Sequence, residues 1–191
     1  MLSHYVSAPL IFLIQTVFGL YVFALTLRML FQWCGADHRN PLSQFLIKVT
    51  HPPLKWMRRV IPSIGHLDTS ALVLALLLET ASGLLVAYLE GEFPALGVYF
   101  VIAVGKMTEL VLDIYFYAIV FRALLSWFNP GTYNPAVMLL FSLTEPLLAF
   151  GRRLLPPTSG IDLSPIIPLV AIHLARMLLL PPIFDLAMLL R

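Results

Sequence analysis

The stretch that decides the fold is THPPLKWMRRVIP, residues 50–62, because it returns as TEPLLAFGRRLLP at residues 144–156. Thr50, Pro52, Leu54, Arg58-Arg59 and Pro62 match Thr144, Pro146, Leu148, Arg152-Arg153 and Pro156 at one fixed offset, since 144 − 50 = 94. Working outward, Arg28, Leu30, Trp33, Asn40-Pro41 and Leu46 match Arg122, Leu124, Trp127, Asn134-Pro135 and Leu140 without a gap. Asp68 and Ser70 match Asp162 and Ser164. A fixed-offset repeat means one supersecondary unit built twice, so the architecture is set before any single helix is argued.

Composition sets the medium. The chain is 60% hydrophobic and 12% charged, with mean hydropathy +0.90. A soluble domain is nearer half apolar and a quarter charged, so these few charges cannot coat a water-facing surface. Runs of about 20 apolar residues read as membrane spans. They predict an all-α membrane protein with about four transmembrane helices, at 8–33, 70–89, 102–128 and 164–183. Pro181-Pro182 mark the expected stop of the last. The 94-residue offset carries the first span onto the third and the second onto the fourth. The first repeat is 1–90 and the second 91–191. Segment 93–105 has no counterpart in the first repeat and is too short to span alone. It either lengthens the third helix or forms a half-helix, and the longer helix is the preferred reading. The first apolar run has no basic flank and exceeds a signal-peptide core, so it is expected to remain in the mature protein.

Each repeat also holds a linker between its spans. In 40–61, Leu42, Phe45, Leu46 and Val49 fall on one helical face, and Pro52-Pro53 predict a break. This is the pattern of a kinked amphipathic segment lying in the interface. Its twin, 134–155, is more apolar and reads as interfacial or shallowly re-entrant. Glu145 and Pro146 disfavour a full span. Two spans per repeat make the repeats parallel, with both linkers on one side. The linkers carry Arg39, Lys48, Lys55, Arg58, Arg59, Arg152 and Arg153, whereas the opposite loop carries Glu90 and Glu92. The positive-inside rule therefore places the linkers in the cytoplasm and both termini outside, in a bacterial inner membrane.

The polar residues that recur need a common account. Arg28 and Arg122 lie just inside their spans. They either snorkel to the headgroups, or clamp an anion, or pair with a linker carboxylate. Arg58-Arg59 and Arg152-Arg153 fit anchoring to anionic lipid or to a partner. Asp68, Ser70, Asp162 and Ser164 open the second and fourth spans and fit helix caps. Glu79 and His173 are repeat mates near the middle of their spans, because 79 + 94 = 173. A carboxylate there is costly unless paired. A Glu79–His173 pair across the axis is expected, serving as a polar clasp or part of a cation or proton route. Glu109 and Asp113, one helical turn apart, are a candidate cation mouth.

Catalytic and cofactor signatures are missing. There is no HExxH, GxSxG or phosphate loop. The lone cysteine, Cys34, excludes an internal disulfide or a CxxC pair. His4, His38, His51 and His66 read as isolated loop residues, so a two-ligand haem site is not expected. The net charge of +2 is too small to suggest nucleic acid. The expected partners are the bilayer, anionic headgroups, and a second copy or a membrane-protein complex. No enzyme activity or cofactor is expected.

The doubled pattern Arg-x-Leu-x-x-Trp, Asn-Pro, Thr-x-Pro, Arg-Arg-x-x-Pro and Asp-x-Ser resembles the YggT family of small bacterial inner-membrane proteins. The resemblance covers essentially the whole chain. The first copy departs from it at His66-Leu67-Asp68-Thr69-Ser70, where the second reads Gly160-Ile161-Asp162-Leu163-Ser164. The resemblance implies a non-enzymatic membrane protein linked to osmotic-stress tolerance and potassium uptake. It also implies relatives tied to cell division and to cytochrome b6 assembly. It supplies no catalytic residue.

Overall fold

The computed structural model describes residues 2–65, 67–92, 95–128, 134–154 and 164–190, with side chains from residue 7 onward and, in the third segment, up to residue 125. Six helices make up the described chain: α1 (Leu2–Trp33), α2 (Pro41–Met57), α3 (Thr69–Glu90), α4 (Leu96–Phe128), α5 (Pro135–Leu154) and α6 (Ile166–Leu189). The order long, short, long is repeated. In each half the two long helices pack together, α1 on α3 and α4 on α6, and the short helix rests against both. The halves join chiefly through α3 and α4, with α1 and α2 also touching α5. α3 and α6 do not touch.

Three of these helices are long and apolar enough to cross a membrane: Ser7–Trp33 within α1, Thr69–Glu90 and Ile166–Leu189. Their outward faces are greasy. Phe12 is 67% exposed and Leu178 71% exposed, a surface stable only against lipid or another apolar partner. α4 has the same length class at 33 residues but carries Lys106, Glu109, Asp113 and Arg122. Segment 93–105 joins it from Leu96 onward, and Leu96 is the mate of Leu2, where α1 begins (2 + 94 = 96), so contrary to expectation the segment has a counterpart in the first turns of α1.

The main core lies where α1, α3 and α4 meet the linker helices. Leu25, Met29, Leu54, Ala71, Ala75, Met107 and Ile114 are buried there. Ala71 and Ala75 keep the α1–α3 contact close, since small residues let helix backbones approach. A second cluster, Ile119, Leu148 and Ile172, plays the same part between α4, α5 and α6. Gly105 gives α6 its seat: a Cβ there would come within 2.8 Å of the Phe184 ring.

Two expected breaks do not occur. Pro52-Pro53 lie inside α2, and Pro181-Pro182 lie inside α6, which runs on to Leu189. Proline removes a donor and frees the carbonyl four residues back, so a helix continues only where packing or a new donor compensates. In α2 the carbonyl freed by Pro53 is that of Val49, and the Tyr21 hydroxyl donates to it at 3.3 Å. In α6, Phe184 and Ile183 are held against Gly105 just past the prolines. The linker helix α2 packs on the protein by its small and hydroxyl-bearing face. Ser43, Thr50 and Leu54 are buried, while Leu42, Phe45 and Val49 stay exposed. The apolar stripe faces outward, and the hydroxyls face protein.

Candidate functional site

The repeated polar residues assemble into one cluster per half, each built by a long helix and its linker. In the first half the Arg28 guanidinium donates to Thr50 Oγ1 at 2.7 Å and, weakly, to the Ile47 carbonyl at 3.5 Å. Thr50 in turn donates to the Leu46 carbonyl at 2.6 Å. In the second half Arg122 donates to Thr144 Oγ1 at 2.9 Å and to the Phe141 carbonyl at 3.3 Å, and Thr144 donates to Leu140 at 2.7 Å. All partners are repeat mates. The threonine turns its hydroxyl to a carbonyl one helical turn back and leaves its lone pairs for the arginine, a fixed acceptor in an apolar setting.

The carboxylates differ. In the first half Asp68 is fully buried and accepts from Arg58 at 2.5 Å, with Arg28 Nε at 3.9 Å. Arg28 itself is only 8% exposed. Such a buried arginine is tolerable because a carboxylate and a hydroxyl meet it. In the second half Glu145, on the linker helix, takes both Arg122 (2.5 Å) and Arg152. Arg122 also stacks over the Phe141 ring at 4.1 Å. Glu145 is half exposed. Partial burial works against its ionisation, but the hydrogen bonds and charges of Arg122 and Arg152 outweigh this and hold its carboxyl below the usual range. Asp162, the mate of Asp68, lies outside the described residues.

The helix starts show one cap as expected and one correction. Asp68 caps α3, accepting from the Ala71 amide at 3.2 Å. Ser70 does not cap: its hydroxyl donates to the Ile61 carbonyl at 2.5 Å, and Thr69 donates to Pro62 at 2.5 Å, tying the linker's end to α3. Ser164 is buried at the entry to α6. The linker helices carry matching caps that sequence reading left without a role. Asn40 accepts from the Leu42 amide and Asn134 from the Ala136 amide, both at 2.9 Å. Asn40 Nδ2 also donates to the Pro135 carbonyl at 2.8 Å, joining the two linkers.

Inside the long helices the expected midplane pair is not formed. Glu79 is bound by Lys106 Nζ at 3.0 Å. His173 is exposed on α6, which never meets α3, so the two cannot come together within one chain. Equivalent positions in parallel repeats face each other only if their helices both line the axis, and α3 and α6 do not. The cation mouth is likewise spent in part, because Asp113 is paired with Arg176 of α6. Glu109 is half buried beside it in the helix. Lys106 and Arg176 could have been found from sequence: a cation within an apolar helix needs a carboxylate, and each had one within reach of the neighbouring span.

The remaining basic residues divide. Arg58 and Arg152 turn inward to carboxylates. Arg59 is exposed and stacks on Trp56 at 4.6 Å, and Arg153 is exposed. His51 lies on α2, exposed, rather than in a loop. Among the described residues there is no group of three or more side chains able to hold a metal ion.

Fold and cluster together define a class: an all-helical membrane-associated protein made of two like halves, each locked by an arginine–threonine–carboxylate cluster. The chain belongs to the CCB3/YggT family, whose model matches it twice, over residues 7–89 and 101–183. Those two matches carry the same 94-residue offset. Among its relatives, the protein PA0392 of Pseudomonas aeruginosa is 39% identical over 175 residues, covering 89% of this chain and 87% of that protein. YggT of Escherichia coli strain K12 is 34% identical over 168 residues, covering 88% and 87%. A Vibrio alginolyticus protein encoded in the proC 3' region is 31% identical over 170 residues, covering 88% and 91%. No solved structure matches the chain.

Proposed function

We propose that this protein is a non-enzymatic inner-membrane protein that supports osmotic-stress tolerance and potassium homeostasis by holding other membrane components, rather than by conducting ions itself. One observation carries the reading: three ion pairs tie charges on the long helices to neighbouring helices. Glu79 meets Lys106, Asp113 meets Arg176, and Arg122 meets Glu145. A conduit needs a continuous run of polar groups open to a moving ion. Salt bridges separated by packed Leu and Ile act instead as clasps between helices.

The pairing also supports α4 as a fourth span, since three of its four charges, Lys106, Asp113 and Arg122, are met by neighbouring helices. With four spans the linkers share one side. Their exposed cations, Lys55, Arg59 and Arg153, fit the cytoplasmic face and would hold anionic lipid or a protein partner there. The test is potassium flux in proteoliposomes. The wild type, Glu79→Gln and His173→Ala are expected to leak no faster than protein-free vesicles. Charge reversal of Arg59 and Arg153 is expected to remove cross-linked partners from cells. Potassium flux that depends on Glu79 would overturn the holding role in favour of transport.

A further inference from the structure

The two halves handle the same pair of arginines differently, and the difference leaves one site open. In the second half Glu145 closes on Arg122 and Arg152. Its mate in the first half is His51, since 145 − 94 = 51, so no linker carboxylate closes on Arg28 and Arg58. Instead these arginines line a cavity of about 220 Å3, with His38, Gln32 and Ser43. Two guanidiniums against the single carboxylate of Asp68 leave its wall net positive. Ser43 is 5% exposed, and its hydroxyl, on that same wall, has no hydrogen-bond partner. A buried hydroxyl without a partner costs free energy, which a ligand that bonds to it recovers. The second half has Val137 at this position and no such hydroxyl.

A second cavity adjoins the first. Phe31 and Leu46 line both. This groove, of about 670 Å3, runs between the halves and is lined by repeat mates from each: Phe23 and Tyr117, Leu27 and Phe121, Phe45 and Leu139. Apart from Asp113, already paired with Arg176, its lining carries no charge. A small cationic pocket opening beside a long apolar groove is complementary to one kind of molecule, an anionic head on a hydrocarbon tail.

We propose that the first half binds one anionic phospholipid. Its phosphate sits against Arg28, Arg58 and the Ser43 hydroxyl, and an acyl chain fills the groove between the halves. Glu145 supplies a linker carboxylate in the second half; in the first, where Asp68 offsets only one of the two guanidiniums, the lipid phosphate takes that place. The site does not depend on the role in ion homeostasis, and its test involves no flux.

The experiment is native mass spectrometry of the full-length protein in neutral detergent, titrated with phosphatidylglycerol, phosphatidylcholine or glycerol phosphate. Wild-type protein is expected to retain phosphatidylglycerol about tenfold more tightly than phosphatidylcholine, and glycerol phosphate is expected not to displace it. Ser43→Ala is expected to weaken retention about tenfold, the loss of one hydrogen bond to a charged group. His51→Glu installs the second half's carboxylate in the first and is expected to exclude the lipid, whereas His51→Gln retains it. If His51→Glu fails to fold, Ser43→Ala decides. Equal retention of the two lipids overturns the proposal, as does wild-type binding by Ser43→Ala. Displacement by glycerol phosphate would make this a site for soluble anions and would also overturn it.

Discussion

The two linkers of this protein begin from the same pattern and reach different electrostatic solutions. In the first half the counter-charge comes from Asp68, at the start of α3 and fully buried. In the second it comes from Glu145, on the linker helix itself and half exposed. The arginine–threonine contact is the same in both. That contact is local: Arg and Thr lie 22 residues apart, on a long helix and the linker that follows it. The carboxylate can come from any element that passes near, so it is free to differ between copies. Among the described residues, which do not include Asp162, the repeat thus conserves a clamp and differs in what completes it.

The sharpest way to break this comparison is to remove each carboxylate in turn. Asp68→Ala leaves Arg28 buried beside no anion and is expected to cost about 3–5 kcal/mol, or to prevent folding. Glu145→Ala, at a half-exposed site, is expected to cost no more than about 1 kcal/mol. Unfolding in graded denaturing detergent measures both. Equal losses would mean that burial does not separate the two clusters.

The seat of the linker on the following helix differs too. Gly151 of α5 lies where a Cβ would come within 2.5 Å of the Ser164 carbonyl oxygen, whereas its mate in α2 is Met57. Gly151→Ala forces the start of α6 away and is expected to cost about 1–3 kcal/mol, while Met57→Ala does not create that clash. Thermal unfolding of the two variants is the check, and an undisturbed Gly151→Ala would show that this contact is slack.

Removing the shared hydroxyl gives a smaller effect. Thr50→Val takes an acceptor from a buried guanidinium and is expected to cost about 1–2 kcal/mol. Thr144→Val should cost less, because Arg122 keeps Glu145 and the Phe141 ring. Detergent unfolding of the pair ranks them, and a reversed order would assign the stronger clamp to the second half.

The smallest effect is acid sensitivity. The folded pKa of Glu145 lies below its unfolded value, so its contribution is complete above the ordinary carboxylate pKa. It fades as pH falls from there through the lowered value. Glu145→Gln should therefore lower stability at neutral pH by no more than about 1 kcal/mol and flatten the acid limb, so that mutant and wild type converge at low pH. A mutant whose acid limb matches the wild type would mean that the arginines do not hold this carboxyl ionised.

Much of the fold was legible because its signals are periodic and repeated. The 94-residue offset, the apolar runs and the amphipathic linker pattern each depend on residue type and spacing alone. The breaks at Pro52-Pro53 and Pro181-Pro182 were misread for a local reason. A proline removes its own hydrogen bond, but whether the helix continues depends on a donor or packing surface supplied by another element, such as Tyr21 or Gly105. The candidate site was legible by recurrence. Arg28, Arg122, Asp68 and the Arg-Arg pairs were all singled out, whereas Thr50 and Thr144 recurred without being given a role. The Glu79–His173 pairing assumed that repeat mates face each other, and helix adjacency ruled otherwise.

The sequence by itself determined that this is a doubled, helical, membrane-associated chain, because hydropathy and repetition survive any arrangement of the helices. Only the tertiary structure decided which charge meets which. Glu79 goes to Lys106, Asp113 to Arg176, and the arginines of the two halves to carboxylates from different elements. The reason is that a salt bridge is set by a few ångströms between side chains of separate helices, and one-dimensional spacing does not contain that distance. The open hydroxyl of Ser43 and the groove beside it have the same origin, since the groove is the space left where α1, α2, α4 and α5 meet.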